Sequence, residues 1–240
     1  LVLSILFLIL AKTSSTQVYG VSAWYKPFKF AFSTLTFAWA MGWYCYYLPN
    51  FNVSLFNWTV IMLLGFEIAY IALQAGRGQL SHYNMSTPVY SVLFSMMALA
   101  ASAVTLYTAY VGYLFFSNSF LELPTYYVWS IRLSIIIFVI FSFEGFAMGS
   151  RLSHTVGALN DNSNLFIMGW SKTVGDLRVS DFIGMHALQV LPVLSFYVLK
   201  NTKLTIIVAL LYGLLALSTL IQALKGKPLF AAKANTEEVG

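Results

Sequence analysis

The sequence predicts an all-α, polytopic transmembrane helical bundle of about seven spans, and three observations carry that prediction. Of its 240 residues, 59% are hydrophobic and only 9% are charged, with a mean hydropathy of +0.77. A water-facing domain carries about 25% charged residues, so this inventory cannot clothe a soluble surface. The apolar residues also fall in continuous runs, and a helix needs roughly 20 of them to cross a bilayer. Alternation over about ten residues, the mark of a membrane β-strand, is absent. Finally, the basic residues sit in short clusters between the runs rather than along one stripe. These features exclude an ordinary cytosolic enzyme, a nucleic-acid binder (despite a net charge of +5) and a disordered chain.

Taken in order, the runs place spans over 1–11, 30–48, 55–76, 88–116, 126–149, 182–199 and 204–223. The first covers only about 16 Å at 1.5 Å per residue, and is expected to be the end of a helix whose start lies before residue 1. The second follows Trp24-Tyr25-Lys26-Pro27-Phe28-Lys29, a mixture of aromatics and lysines typical of an interfacial anchor. Pro88 and Pro124 open the fourth and fifth spans, where a missing N–H costs least. Ala98, Ala101 and Ser102 give the fourth a strip of small residues for close packing. Pro192 is expected to kink the sixth, and Ser180 or Asp181 to cap its start. Residues 1–224 then form one transmembrane domain, and 225–240 a polar, flexible cytoplasmic tail. The run Asn160-Asp161-Asn162-Ser163-Asn164 reads as an exposed turn within a 150–181 segment long enough to be a lid.

Seven spans put the chain ends on opposite sides. Lys12, Lys26, Lys29, Arg77, Arg151, Lys172, Arg178, Lys225, Lys227 and Lys233 then share one side, ten of the thirteen basic residues. Lys and Arg concentrate on the cytoplasmic side, so the N-terminus is expected outside and the C-terminus inside. Cys45 stands alone, which excludes an intrachain disulfide and a Cys-based cluster.

The polar residues gather at the same basic end. Glu67 and Glu144 lie within the third and fifth spans, where a charge is costly and usually faces a bundle interior or cavity. They are the candidate catalytic or proton-carrying groups. Below Glu67 come Gln74, Arg77, Ser81-His82 and Asn84; below Glu144 come Arg151 and Ser153-His154. A third element, Gly175-Asp176-Leu177-Arg178, leads through Asp181 to His186 and Gln189. A single polar cavity opening to the cytoplasm is the expected consequence.

The segments Trp24–Ala31, Gln74–Gly78 with Ser81–Asn84, and Gly175–Arg178 with His186–Gln189 resemble a family of bacterial polytopic membrane proteins to which no activity attaches. The resemblance spans roughly residues 20–200 and implies a multi-pass protein of the bacterial inner membrane. The helix number and the Ser, acidic and His residues near one face are also similar to seven-helix zinc hydrolases. The analogy is architectural, since their His-x-x-x-His in the last span is missing here. Microbial rhodopsins fit worse, because the seventh span has no Lys for a retinal Schiff base.

Three functional readings follow. In the first, His82, His154 and His186 with Asp176 or Asp181 hold a divalent metal such as zinc. Glu67 or Glu144 is the general base, and Arg77, Arg151, Arg178, Gln74 and Gln189 bind a lipid-soluble substrate, with a phosphate or carboxylate headgroup on the arginines. That makes metal-dependent hydrolysis or modification of the substrate the leading expectation. In the second, Glu67 and Glu144 relay protons or bind a cation in a transporter or channel. In the third, the chain is a non-catalytic subunit of an oligomer or larger membrane complex. A two-His haem is disfavoured, because only His186 is clearly helical.

Overall fold

The computed structural model describes residues 1–157 and 168–230; the expected turn at 160–164, the middle of the 150–181 segment and the end of the tail lie outside the described residues. Nine α-helices run among them: α1 (Val2–Thr13), α2 (Tyr25–Tyr46), α3 (Val53–Gly76), α4 (Pro88–Ser117), α5 (Thr125–Ser142), α6 (Glu144–Arg151), α7 (Arg178–Met185), α8 (Ala187–Leu194) and α9 (Thr202–Leu224). A π-helical turn, Ser195–Leu199, continues α8. Two short antiparallel pairs complete the chain, β1 (Gln17–Val18) with β2 (Val21–Ser22), and β3 (Thr155–Val156) with β4 (Gly175–Asp176). All seven apolar runs of the sequence are therefore helical.

Four of these units are long and apolar enough to cross a membrane: α3, α4, α5 together with α6, and α9. The pair α7 and α8, bent by 41°, makes a fifth if it acts as one span. Helix α1 is short, and α2 is long enough but diluted by Tyr, Trp and Lys. Their outer faces nevertheless carry exposed Ile5, Leu6, Trp39 and Trp43, and α9 exposes Leu210, Leu211, Leu214 and Leu215. An apolar exterior of this kind suits contact with a lipid bilayer.

Helix α5 is the centre of the bundle and packs against α4, α7, α8 and α9, while α2 packs against α1, α3 and α8. Small residues set how closely these helices approach, as in membrane bundles generally. Ala209, Ala216 and Ala223 recur at sevens along the buried stripe of α9. A Cβ at Gly184 would overlap the Phe141 ring of α5, and one at Gly175 the Ala223 carbonyl. On α4 the close approach falls at Gly112 against Ile135, further along than the expected strip, where Ala101 is exposed.

Helix ends and breaks are tied down locally. Asn52, Thr87 and Asn201 cap α3, α4 and α9 by accepting from backbone N–H groups three residues on. The β1–β2 hairpin turns through Tyr19 and Gly20, both at positive φ, the requirement of a type I′ turn. Pro192 sits inside α8 and has no N–H to offer the Leu188 carbonyl one turn back. That fully buried carbonyl accepts instead from the Tyr44 hydroxyl of α2. The break at His186 similarly frees the Ile183 carbonyl, to which the Tyr212 hydroxyl of α9 donates at 2.6 Å.

Tyr44 thus completes a bond that the proline removes. Tyr44→Phe should cost about 1–3 kcal/mol by orphaning a buried carbonyl, read as a lower melting temperature in detergent. In a Pro192→Ala background, where residue 192 regains its N–H, the same substitution should cost clearly less. Equal losses in both backgrounds would refute the coupling.

Candidate functional site

The described polar groups converge at the end of the bundle where α2 begins, α6 ends and α7 starts. The β3–β4 pair joins the last two, with Thr155 opposite Asp176 and the His154 carbonyl accepting from Leu177 N–H at 2.9 Å. At its centre is Asp176, whose carboxylate is essentially inaccessible. Oδ1 accepts from the Arg178 backbone N–H at 3.1 Å and from Arg178 Nε at 2.9 Å. Oδ2 accepts from Arg178 Nη2 at 2.6 Å and from Ser171 N–H at 3.0 Å. Burial alone would raise this carboxyl; the Arg178 hydrogen bonds and charge, with the Ser171 N–H, outweigh it and hold it below the usual range. It is the only ion pair joining two described residues. The start of α7 is therefore organised by Asp176 rather than by Ser180 or Asp181, because the carboxylate two residues ahead reaches the Arg178 N–H first.

More positive charge surrounds this pair. Lys29 Nζ donates to the Met168 carbonyl at 3.0 Å, and Arg178 Nη2 donates to the Gly169 carbonyl. Lys26 lies close enough for its charge to be felt at Lys29, Arg178, His82 and His154. Burial, then the neighbouring cations, lowers Lys26 to about 7. Burial and Arg178 lower Lys29 to about 8, against the pull of Asp176. The two histidines respond in the same sense. His82 is held well below its ordinary value by burial and by Lys26, packed among Phe30, Phe94 and Tyr83. His154 falls to about 4 through burial and the Arg178 charge, with Asp176 opposing. Both imidazoles are neutral at pH 7. Tyr83, pushed up to about 12 by burial, stands within electrostatic reach of Arg178, Asp181 and Asp176.

Two acids, Glu144 and Asp181, lie near this cluster, and a third, Glu67, lies within α3. Glu144 opens α6 at the break after Phe143 and is buried; its Oε1 accepts from Ser180 Oγ at 2.6 Å, while Oε2 has no hydrogen-bond partner. Asp181 is its electrostatic neighbour one residue beyond Ser180. Glu67 is buried in α3 with Oε1 unpartnered. Gln74, on the same face, donates to the Tyr70 hydroxyl at 3.1 Å, and its Oε1 is also unpartnered.

The remaining candidates scatter. Arg77 and Arg151 are exposed at the ends of α3 and α6. Gln189 donates to the Thr36 carbonyl at 3.2 Å, bracing α8 against α2. His186 lies tilted against the Phe182 ring and places Nδ1 2.7 Å from the Phe182 carbonyl. Arg132 donates to the Phe115 carbonyl at 2.9 Å and lies over Phe116 and Trp129, so it satisfies the end of α4. Among the described residues no three of His, Cys, Asp and Glu gather closely enough to hold a metal ion, and Asp176 is already committed to Arg178. Among the described residues His82, His154 and Asp176 share this end of the bundle without gathering as a ligand set.

Sequence reasoning passed over Lys26, Lys29, Gly169, Tyr83 and Ser180. The lysines carried a signal, two cations one helical turn apart, but the adjacent aromatics made an interfacial anchor the simpler reading. Comparison of the chain with family models, with curated proteins and with solved structures returns no match. The site geometry is therefore the basis for any functional reading.

Two outcomes test this electrostatic arrangement. Asp176→Asn strands the part-buried Arg178 charge and should cost about 3 kcal/mol, whereas Asp176→Asn combined with Arg178→Gln should recover part of that loss in a melting assay. The histidines set a pH dependence. Because His154 binds its proton less readily when folded than unfolded, stability is full above about pH 6.5 and declines as pH falls toward 4. The melting temperature should drop across that window, and drop less steeply in His154→Gln.

Proposed function

We propose that this chain is a seven-span protein of the bacterial inner membrane, N-terminus out and C-terminus in, that moves protons through its buried carboxylates and holds a substrate at its cytoplasmic end. The topology rests on seven helical units, with α5 plus α6 and α7 plus α8 each acting as one span, and on the basic residues clustering at one side. The observation that carries the function is the pair of buried carboxylates Glu67 and Glu144, each with one oxygen lacking a hydrogen-bond partner. A charge kept in that setting is costly, and a group that exchanges a proton escapes the cost by being neutral for part of its cycle. Glu144 has the additional means to pass the proton on, since Ser180 Oγ bonds it directly and Asp181 follows in the same helix turn. Reading Glu144 as a proton carrier fits the geometry better than reading it as the base of a metal-dependent hydrolase. The latter needs ligands that converge, and Asp176 is taken up by Arg178.

Liposomes holding the purified chain and a trapped pH-sensitive dye test this reading. The wild type should dissipate an imposed proton gradient faster than empty liposomes. Glu144→Gln, which keeps the Ser180 contact while removing the titrating proton, should slow that flux roughly tenfold or more. Glu67→Gln should do likewise. A wild-type rate equal to that of empty liposomes, or full flux in both variants, would defeat the proposal.

A further inference from the structure

Gly169 lies between two cations. Its φ is +70°, and a Cβ built there would stand 3.7 Å from Lys29 Nζ and 3.8 Å from Arg178 Nη1. The two nitrogens therefore face one small volume that the missing side chain leaves open. Arg178 directs Nε and Nη2 to Asp176 and the Gly169 carbonyl, so Nη1 has no acceptor among the described residues. Lys29 uses one N–H on the Met168 carbonyl and has two more. Lys26, one turn before Lys29 on α2, makes no hydrogen bond or ion pair with a described residue, yet its charge is felt at Lys29 and Arg178. The carboxylate facing these groups, Asp176, is already saturated by four N–H donors. Three like charges gathered in a poorly solvated place repel one another, and an anion would relieve that repulsion.

We infer that Lys26, Lys29 and Arg178 form a binding site for a phosphate-type oxyanion seated against Gly169. The donors come from two directions, the Lys29 ammonium from the start of α2 and one guanidinium N–H from the start of α7, with Lys26 adding its charge one turn before Lys29. That arrangement suits a tetrahedral anion with several acceptor oxygens better than a planar carboxylate, which favours a bidentate fork from one arginine. The anion is free inorganic phosphate, or the phosphate-monoester headgroup of a lipid. The inference deepens the functional reading above by naming the class of its substrate, but the site itself is measured without transport.

Calorimetric titration of the detergent-solubilised full chain with inorganic phosphate, and separately with short-chain phosphatidic acid, tests it. Binding of either ligand is expected, weakened at least tenfold in Lys29→Gln and in Gly169→Ala, and unchanged in Lys203→Gln on the opposite side. Lys26→Gln serves as a second variant should Lys29→Gln melt at a lower temperature. Phosphate binding that short-chain phosphatidic acid cannot displace identifies free phosphate as the ligand; binding of the lipid alone identifies a headgroup. The titratable and charged groups facing the anion are Lys26, Lys29, Arg178, Asp176, His82, His154 and Tyr83. Of these the lysines alone titrate between pH 7 and 9, so binding at pH 8 should take up protons and should be weaker at pH 9 than at pH 7. Failure of both ligands to bind, or undiminished binding in both Lys29→Gln and Gly169→Ala, overturns the inference. A chain that carries protons yet binds neither ligand leaves the functional reading standing; one that binds phosphate yet carries no protons keeps the site and removes the transport.

Discussion

Asp176 accepts four N–H groups, three of them from Arg178 and one from Ser171, and the functional end of the molecule is assembled around that carboxylate. It belongs to β4, so it is held against β3 and through it against the end of α6. It also orients the first turn of α7 and aims the Arg178 side chain toward Gly169. A buried ion pair of this kind is weak evidence for stability, because desolvation offsets most of the attraction. Its worth here lies in position. It ties down the first turn of α7, the turn from which Ser180 donates to Glu144.

The second constraint is the backbone. Where lipid replaces water, an unpaired carbonyl has no solvent to fall back on, so every irregularity in a helix needs a partner from another helix. Pro192 and the break at His186 free the carbonyls of Leu188 and Ile183, and Tyr44 and Tyr212 donate to them. Arg132 performs the same service for Phe115 at the end of α4. These bonds allow α7 and α8 to bend by 41°, and the bend brings the polar face of α7 against α5 and α6 while α8 packs against α2. Gly184 against Phe141 and Gly175 against Ala223 let the backbones approach closely enough for that geometry.

Charge is distributed with a clear logic. The cations Lys26, Lys29 and Arg178 lie at the end of the bundle, and two histidines, His82 and His154, lie within reach of their charge. The acids Glu144 and Asp181 are neighbours on the same side, Glu144 bonded by Ser180 and Asp181 within electrostatic reach of Tyr83. Arg178 and Ser180, the first and third residues of α7, tie the cation cluster and Glu144 to one helix.

Much of this was legible in the sequence, and the division has a physical basis. The helical segments, including the helix that Pro192 disturbs, follow from composition and local periodicity, properties that a run of residues carries by itself. The concentration of basic residues at one end, and the burial of Glu67 and Glu144 within apolar runs, follow from the same local information. Which side chains meet does not. Asp176 closes on Arg178 two residues away, but also on Ser171; Glu144 meets Ser180 across 36 residues; and Lys29 reaches Met168 across 139. His82, His154 and His186 look alike in sequence and are all half-buried, yet two lie within reach of cations and the third lies tilted against Phe182. Arg77 and Arg151 share their composition with Arg178, yet end in solvent. Burial and pairing are set by helices that close on one another over long separations, and only the tertiary structure decides them.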